Sequence, residues 1–384
     1  MNLLATVLFA SPALAGPYKP VTCNAVASYA GAPLAAPPAL AVLPSAASVT
    51  GSFDTATAAR LEAALAQALA ATKASAITVA VSRPGRATWA ATRTGDGSPA
   101  PERFWWASVG KLLTAATVLR LAEENRLSLA DPVSRYVTGV PNGNAITIEH
   151  LLAHTSGLFS ANEDKRVRAS GGPLKLSDEL AILRRHGAMF CPGERWRYSN
   201  SGYALLGAVI EKLEGRPFAE ASSKLVLAPL GPGSLRVLSP GEAAVDLAPL
   251  RPADPDADVV QPSWTGAAAG LAGRADDMNR FLQATLGPRL LSDRTRRQRL
   301  ARLYPMFDRG SFYGLGLMVY RPPGTGLYWI GHSGGSPGAN AISIWSPRDQ
   351  AFVSVALTGD GSATATANLL LKALAEPAEA SKRR

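Results

Sequence analysis

Apolar residues recur with helical spacing through most of the middle of the chain. Leucines at four-residue intervals follow a capping-type Asp54 and predict a helix over residues 54–73. A long apolar run predicts a second helix over residues 112–125. Glycine and proline breakers separate the other predicted helices, which cover residues 131–137, 147–153, 176–186, 202–213, 218–225, 276–286, 292–303 and 363–375.

Short runs of strand-forming residues lie toward the two ends of the chain. Residues 77–82 and 87–92 flank an Arg-Pro-Gly-Arg turn signal and predict a hairpin. Later strands are predicted over residues 313–320, 327–330, 341–345 and 352–357. This distribution predicts an α+β fold in which one antiparallel sheet is built from both ends of the chain, flanked by helices, with a large all-helical region inserted.

The 384 residues predict one large domain between two tails. The domain covers residues 51–375, with an α/β part at about 51–105 and 305–375 and a helical part at about 106–304. Residues 16–50 are rich in alanine and proline and predict an extended tail, and residues 376–384 are polar. Residues 1–15 resemble a secretory signal peptide that lacks its usual basic start, so we expect a periplasmic or secreted protein.

The net charge of +10 comes mostly from scattered arginines, without a run of like charges. We therefore expect no nucleic-acid partner, and the absence of any other long apolar stretch predicts no membrane span in the mature chain. Cys23 and Cys191 can form one bridge in an oxidising compartment or remain two unpaired thiols. The sequence leaves the oligomeric state open.

Ser108 and Lys111 form an SxxK pair at the start of the predicted 112–125 helix. Such a pair is expected roughly once by chance in a chain of this length. Residues three apart on a helix face each other, so the amine is within reach of the hydroxyl. A lysine behind two tryptophans is costly to bury unless it is neutral or paired. The pair is therefore a candidate serine nucleophile with its own amine base.

Tyr198 and Asn200 form a second candidate group just before the predicted 202–213 helix. A tyrosine can exchange protons near neutral pH if a nearby ammonium favours its phenolate, and the Asn200 carboxamide can hold a substrate amide or the lysine. The structural alternative is a helix start, with Ser199 or Asn200 as the cap and Tyr198 packed below it.

The segment His332-Ser333-Gly334-Gly335 follows a predicted strand and admits two functional interpretations. It matches GxSxG, which would make Ser333 a nucleophile of the α/β-hydrolase type. We reject this because such an enzyme needs a histidine after the serine, and none follows Ser333. The other interpretation is an edge strand whose glycines let a substrate backbone approach and whose N–H, with that of Ser108, completes an oxyanion hole. A glycine-rich turn is the structural alternative.

His150 and His154 have the i, i+4 spacing of some zinc sites. A zinc protease helix would carry glutamate directly after the first histidine, where this chain has Leu151. We therefore interpret this segment as an apolar helix that ends in a capped turn, and we expect no metal or other cofactor.

The order SxxK, YSN, HSG resembles the penicillin-recognising serine hydrolases, in the branch of class C β-lactamases, DD-peptidases and family VIII esterases. Similar stretches extend from about residue 77 to 375 and include HLLAHTSGL, CPGERWRYSNSGYALLGAVIE, AAAGLAGRADDMNRFL and GHSGGSPG. The resemblance implies the β-lactamase/transpeptidase-like fold for most of the domain.

The resemblance also implies roles for the motif residues. Ser108 would be the nucleophile, Lys111 the amine that activates it, and Tyr198 the general base and acid. The substrate-binding residues would be Asn200, His332 in the basic position of the third motif, Ser333, Gly334 and Gly335. The N–H groups of Ser108 and Gly335 would form the oxyanion hole. Trp106 would add an apolar wall that suits an ester acyl group.

His332 departs from the lysine usual at this position in class C β-lactamases. The sequence therefore favours esterase or DD-peptidase-like activity over efficient β-lactam hydrolysis. The expected substrate is a small molecule or peptide: an ester, a D-amino-acid amide or peptide, or a β-lactam. The alternative is a catalytically slow penicillin-binding or peptidoglycan-binding protein of the same fold.

Overall fold

The computed structural model describes residues 18–45, 51–169 and 172–375. The predicted signal segment and the polar C-terminal tail lie outside these residues. Its α-helices are α1 (Thr55–Thr72), α2 (Lys111–Glu123), α3 (Ile148–Leu152), α4 (Lys165–Ala169), α5 (Leu176–His186), α6 (Asn200–Glu214), α7 (Phe218–Ser222), α8 (Gly266–Ala269), α9 (Ala275–Leu286), α10 (Asp293–Leu300) and α11 (Ala363–Leu374).

One large antiparallel sheet joins the two ends of the chain, as predicted. Its strands run in the order β2-β1-β11-β10-β9-β8-β7-β6, so the N-terminal hairpin lies beside the last strand. The strands of the chain are β1 (Ala76–Ser82), β2 (Trp89–Thr94), β3 (Phe104–Trp105), β4 (Arg236–Val237), β5 (Leu271–Gly273), β6 (Tyr304–Pro305), β7 (Ser311–Tyr313), β8 (Met318–Tyr320), β9 (Trp329–Ser336), β10 (Ala339–Ser346) and β11 (Ala351–Thr358).

Helices cover both faces of this sheet. Ile77, Val79 and Val81 of β1 belong to the core that α1 and α11 close, whereas Ala76 and Ala80 join the core on the other face, where α9 packs. This alternation is the period of two that a strand buried on both sides requires. The predicted α+β architecture is therefore confirmed.

The helical part is built around α2, which is buried along most of its length. Its residues from Lys111 to Leu119 are all buried, and only Lys111, Thr114 and Thr117 among them are polar. It packs against α6 and α8. The chain then runs from α8 into β5, the middle strand of a small second sheet with the order β3-β5-β4. The sequence did not predict this small sheet. The pairing of β3 with β5 fixes the position of the chain just before Ser108.

Several predicted elements differ from those observed. Residues 131–137 contain only a single 3₁₀ turn, Val133–Arg135. The predicted 313–320 strand is a hairpin of β7 and β8, because the glycines at 314 and 316 turn the chain back. The helix predicted over 292–303 ends at Leu300, and the one over 218–225 ends at Ser222 in a π-helical turn.

The second half of β9 has a free edge. β8 pairs with β9 only through Trp329–Gly331, whereas β10 pairs with it as far as Ser336. Within the part of the chain that the structure describes, no strand pairs with residues 332–336 on the β8 side. The predicted edge strand, β9, is therefore paired on both sides at its start and has an unpaired edge only along the HSG segment. The open part faces the turn that carries Ser108.

The N-terminal tail lies along the domain and is linked to it by a disulfide. Residues 18–45 are irregular apart from a 3₁₀ turn at Leu40–Val42, and the Ala30 N–H donates a hydrogen bond of 2.8 Å to the Glu194 carbonyl. Cys23 and Cys191 form the bridge that the sequence left open. In the described ranges, no helix is both long and apolar enough to cross a membrane.

Removing the Cys23–Cys191 bridge should lower the free energy of unfolding by about 3–5 kcal/mol, because it closes a loop across 168 positions. Urea unfolding of the double Cys23→Ser, Cys191→Ser variant measures the effect. Wild-type protein unfolded under dithiothreitol is the matched control and should give the same midpoint. An unchanged midpoint in both samples would show that the bridge contributes nothing to stability.

Candidate active site

Ser108 lies in a 3₁₀ turn, Ala107–Gly110, between β3 and the first residue of α2. The preceding Ala107 has a φ of 45°, which is uncommon for a residue with a side chain. Such local strain persists only where the surroundings hold it, and it is frequent at functional sites. Ser108 itself is half-buried. The turn therefore presents the hydroxyl at the seam between the sheet and the helical part, as predicted.

Lys111 is completely buried, and its Nζ lies within hydrogen-bonding distance of three oxygen atoms. They are Asn200 Oδ1 at 2.7 Å, the Ala268 carbonyl oxygen at 2.8 Å and Ser108 Oγ at 3.2 Å. Burial lowers the pKa of Lys111 well below 10.5, because desolvation disfavours the ammonium. The structure therefore brings the predicted pair together and shifts the lysine toward the neutral amine.

The Asn200 carboxamide is oriented by a second asparagine. Its Nδ2 donates to Asn162 Oδ1 at 3.0 Å, which leaves Oδ1 for the lysine. The backbone N–H of Asn200 donates to Ser160 Oγ at 2.9 Å. Asn200 is the first residue of α6, and Ser199 occupies the position before it, as the helix-start alternative predicted, but its side chain makes no capping hydrogen bond.

Tyr198 is buried beside both members of the pair. Its phenol is hydrogen-bonded to Ser108, and Lys111 Nζ lies 4.8 Å from the centroid of its ring. Burial raises the pKa of Tyr198 far above 10, although the bond with Ser108 acts in the opposite direction. This direction is opposite to the one expected from the sequence, where a nearby ammonium was to favour the phenolate. The phenol of Tyr198 is therefore neutral.

His332 is buried and neutral. Its Nδ1 lies 2.6 Å from the carbonyl oxygen of Ser333, which can only accept, so Nδ1 carries the proton. Its Nε2 lies 3.1 Å from the Tyr313 hydroxyl. Burial is the main cause that lowers the pKa of His332, to about 3. The basic third-motif residue implied by the resemblance is therefore replaced here by an uncharged imidazole.

Ser333 and the two glycines lie on the open part of β9. Ser333 Oγ is 2.7 Å from the hydroxyl of Tyr320, so its side chain contacts a residue of β8. Gly334 lies against the turn that carries Ser108: a Cβ added there would meet the backbone nitrogen of Ser108 at 2.6 Å. The sequence predicted that a substrate backbone approaches Gly334, but the turn that carries Ser108 occupies this position. Gly335 is half-buried at the open edge of β9.

Trp106 does not form the apolar wall that the sequence predicted. It is completely buried in the main core, and its Nε1 donates to the Gly273 carbonyl oxygen at 3.1 Å. This hydrogen bond links β5 to Trp106, the residue directly before the turn. Trp106 is therefore a support for the site and makes no exposed surface for a substrate.

Several groups at the site were not predicted as functional. The Ala268 carbonyl bonds Lys111, and a backbone carbonyl leaves no signal in a sequence. Tyr313 contacts His332 through the β7–β8 hairpin. His154 is buried with its ring centroid 4.2 Å from that of Tyr198. The polar residues of HLLAHTSG were the available sequence signal for a role of His154. The segment was interpreted as a helix that ends in a capped turn, without a role for this histidine in the site.

The chain is similar to bacterial penicillin-binding proteins and to an esterase. Penicillin-binding protein 4* of Bacillus subtilis is 29% identical over 266 residues, which cover 63% of this chain and 57% of the relative. Esterase EstB of Burkholderia gladioli is 32% identical over 245 residues, which cover 50% of this chain and 61% of the relative. The chain thus spans about three fifths of the length of these curated relatives.

Solved structures share the fold over most of the chain. A D-stereospecific amidohydrolase from Streptomyces sp. has a TM-score of 0.68 at 26% identity and covers 84% of this chain and 98% of its own. A D-amino acid amidase from Ochrobactrum anthropi has a TM-score of 0.72 at 21% identity, with coverage of 83% and 97%. The second likeness shows the fold alone, which is the fold predicted from the sequence.

A family model described as Beta-lactamase matches residues 61–376. This range contains all the strands of the large sheet and the segments that carry SxxK, YSN and HSG. Because the match covers well over half of the chain, the resemblance inferred from these motifs is confirmed, and the chain belongs to the Beta-lactamase family.

Proposed function

We propose that this protein is a serine hydrolase that forms an acyl-enzyme on Ser108. The observation that carries the proposal is the set of partners around Lys111 Nζ. Asn200 Oδ1 and the Ala268 carbonyl can only accept, so a neutral amine donates its two hydrogens to them. Its lone pair is then directed at Ser108 Oγ, 3.2 Å away. This geometry suits activation of the serine, and among the described residues no carboxylate pairs with Lys111 to keep the amine charged.

The acylation step follows from these contacts. Ser108 Oγ bonds to the substrate carbonyl carbon while its proton passes to Lys111 Nζ. The carbonyl oxygen becomes an oxyanion, for which we propose the N–H groups of Ser108 and Gly335 as donors. Collapse breaks the bond to the leaving group, which takes a proton from the Tyr198 hydroxyl, and the Lys111 ammonium returns a proton to Tyr198. Water then hydrolyses the ester on Ser108 by the reverse transfers.

The proposed substrates are esters and D-amino-acid amides or peptides. His332 supplies no positive charge to a carboxylate such as that of a β-lactam, because its pKa is held at about 3. Relatives and structural neighbours are named as an esterase and as D-stereospecific amidohydrolases. We therefore expect ester and D-amino-acid amide hydrolysis to exceed β-lactam hydrolysis.

A fluorophosphonate should label wild-type protein covalently, and Ser108→Ala should remove the label completely. Peptide mapping should place the adduct on Ser108 and leave Ser333 unmodified. The purified sample is then assayed on p-nitrophenyl butyrate, nitrocefin and a D-Ala-D-Ala peptide. Absence of labelling in folded protein would refute the acyl-enzyme, and nitrocefin turnover faster than ester turnover would refute the substrate order.

A slow penicillin-binding protein is the second candidate, because two relatives bear that name. Such a protein would acylate Ser108 and release the acyl group slowly. Pre-steady-state kinetics distinguish the two: a burst of one equivalent followed by negligible turnover on all three substrates indicates the binding protein, and continued turnover indicates the hydrolase.

We also propose that the protein is exported to the periplasm or secreted. The support is the bridge between Cys23 and Cys191, because disulfides persist in oxidising compartments. Fractionation of a host that expresses the full chain tests this, with free-thiol titration of each fraction. Recovery of reduced protein only in the cytoplasm would contradict it.

A further inference from the structure

We propose that His154 is a positioning residue that holds Tyr198 for protonation of the leaving group. The inference rests on the proposed acyl-enzyme mechanism and assigns a role to a buried histidine that this mechanism leaves unused. His154 is 1% exposed and lies just after α3, with a φ of 61° that turns its backbone toward the YSN segment.

The first support is a pair of hydrogen bonds on either side of Tyr198. The N–H of Arg197 donates to the His154 carbonyl oxygen at 2.9 Å. The N–H of Ser199 donates to His154 Nδ1 at 3.2 Å. One residue therefore holds both peptide groups next to the tyrosine, one through its backbone and the other through its ring.

The second support is the packing of the imidazole. Its centroid lies 4.2 Å from that of Tyr198 and 4.6 Å from that of Tyr313, the residue that bonds His332. The tyrosine ring therefore packs on the imidazole, and its rotation away from Ser108 requires displacement of this buried group. The contact connects Tyr198 to the His332 side of the site.

The third support is the protonation state that these contacts impose. Nδ1 accepts from Ser199, so it carries no proton, and the imidazole is neutral with its hydrogen on Nε2. Burial is the main cause that lowers the pKa of His154 well below 6.5. A ring that must keep Nδ1 unprotonated cannot accept the Ser108 proton there. Its contribution is therefore geometrical.

The proposal predicts a loss that depends on the leaving group. An alkoxide or amine needs a proton from Tyr198 as it departs, whereas p-nitrophenolate departs without one. A displacement of about 1 Å at a reacting group costs about 100-fold in rate. Loss of the His154 acceptor should therefore reduce kcat/KM about 100-fold for an ethyl ester and less than about tenfold for the p-nitrophenyl ester of the same acid.

His154→Asn and His154→Gln provide the test. Asparagine places its Oδ1 where Nδ1 lies and tolerates the positive φ, so it should keep ethyl ester hydrolysis within about tenfold of wild type. Glutamine carries its oxygen one bond further and should show the full selective loss. His150→Asn is the matched control. His150 Nδ1 also accepts a backbone N–H, from Thr147, the residue directly before α3. Because His150 is not among the residues of the site, both esters should react with this variant as with wild type.

Tyr198→Phe should show the same difference between the two esters, and adding His154→Gln to it should not increase that difference. Equal losses on both esters in His154→Gln, or additive losses in the double variant, would show a general structural role and overturn the proposal. Failure of the proposed function itself is separate, because it would appear as absence of fluorophosphonate labelling at Ser108 in wild-type protein.

Discussion

Replacing Lys111 by methionine should lower the rate of Ser108 acylation by at least about 1000-fold while the domain stays folded. The amine is the group placed to take the serine proton, at 3.2 Å from Oγ, and its removal leaves the hydroxyl without a base. Methionine has similar length and no charge, so it removes the desolvation cost of a buried ammonium. Stopped-flow acylation by p-nitrophenyl butyrate measures the loss.

The pH dependence has a defined sign. Only the neutral amine accepts a proton, so acylation should decline as pH falls through the pKa of Lys111. Because burial sets this pKa well below 10.5, the decline should lie well to the acid side of an ordinary lysine. Lys111→Arg should be as slow as Lys111→Met at every pH, since a guanidinium keeps its proton.

Thr114→Val is the matched control for this prediction. Thr114 lies one turn further along α2 and its Oγ1 donates to the Ala267 carbonyl at 2.6 Å, next to the carbonyl that bonds Lys111. Its loss should reduce stability by about 1 kcal/mol and leave the acylation rate within a few-fold of wild type. Equal acylation by Lys111→Met and Thr114→Val would show that another group is the base.

The motifs predicted the site because each one combines a reactive side chain with a local element that orients it. An SxxK pair at a helix start brings Ser108 and Lys111 together by the geometry of one turn alone. Tyr198 lies just before an apolar helical run, and His332 follows a predicted strand. Local periodicity thus placed Lys111 at the start of α2 and Tyr198 just before α6. Ser108 lies instead in the 3₁₀ turn before α2, and His332 lies inside β9, which extends beyond the strand predicted over 327–330.

Protonation states were not predictable in the same way. The pKa directions of Tyr198 and His332 depend on how completely each side chain is buried and on what lies behind it. Both are set by tertiary packing that no local pattern records. The prediction that Trp106 forms an apolar wall was wrong for a related reason. An aromatic residue beside a reactive serine can face either a substrate or the core, and Trp106 faces the core. The small sheet that buries it pairs short strands far apart in the chain.

Gly334→Ala should disable the site more severely than any other single methyl group added to β9 beyond Gly331. The new Cβ would lie 2.6 Å from the nitrogen of Ser108, 2.9 Å from the oxygen of Trp106 and 3.0 Å from the nitrogen of Val109. All three are backbone atoms of the Ser108 turn or of the residue directly before it, so neither side can yield by a rotamer change. We expect a loss of about 3 kcal/mol in unfolding free energy and at least about 100-fold in acylation rate.

Gly335→Ala is the matched control for stability. Its Cβ would meet Asn340 Nδ2 at 3.0 Å and the Ala339 carbonyl at 3.4 Å, so the nearest atom is the end of a side chain that can move. Urea unfolding of the two variants should therefore differ by about 2 kcal/mol. If Gly334→Ala unfolds like Gly335→Ala and is labelled by the fluorophosphonate at the wild-type rate, β9 does not constrain the Ser108 turn. The expected difference follows from the direct contact between the turn and the strand, because the same backbone atoms that meet Gly334 hold the Ser108 hydroxyl toward Lys111.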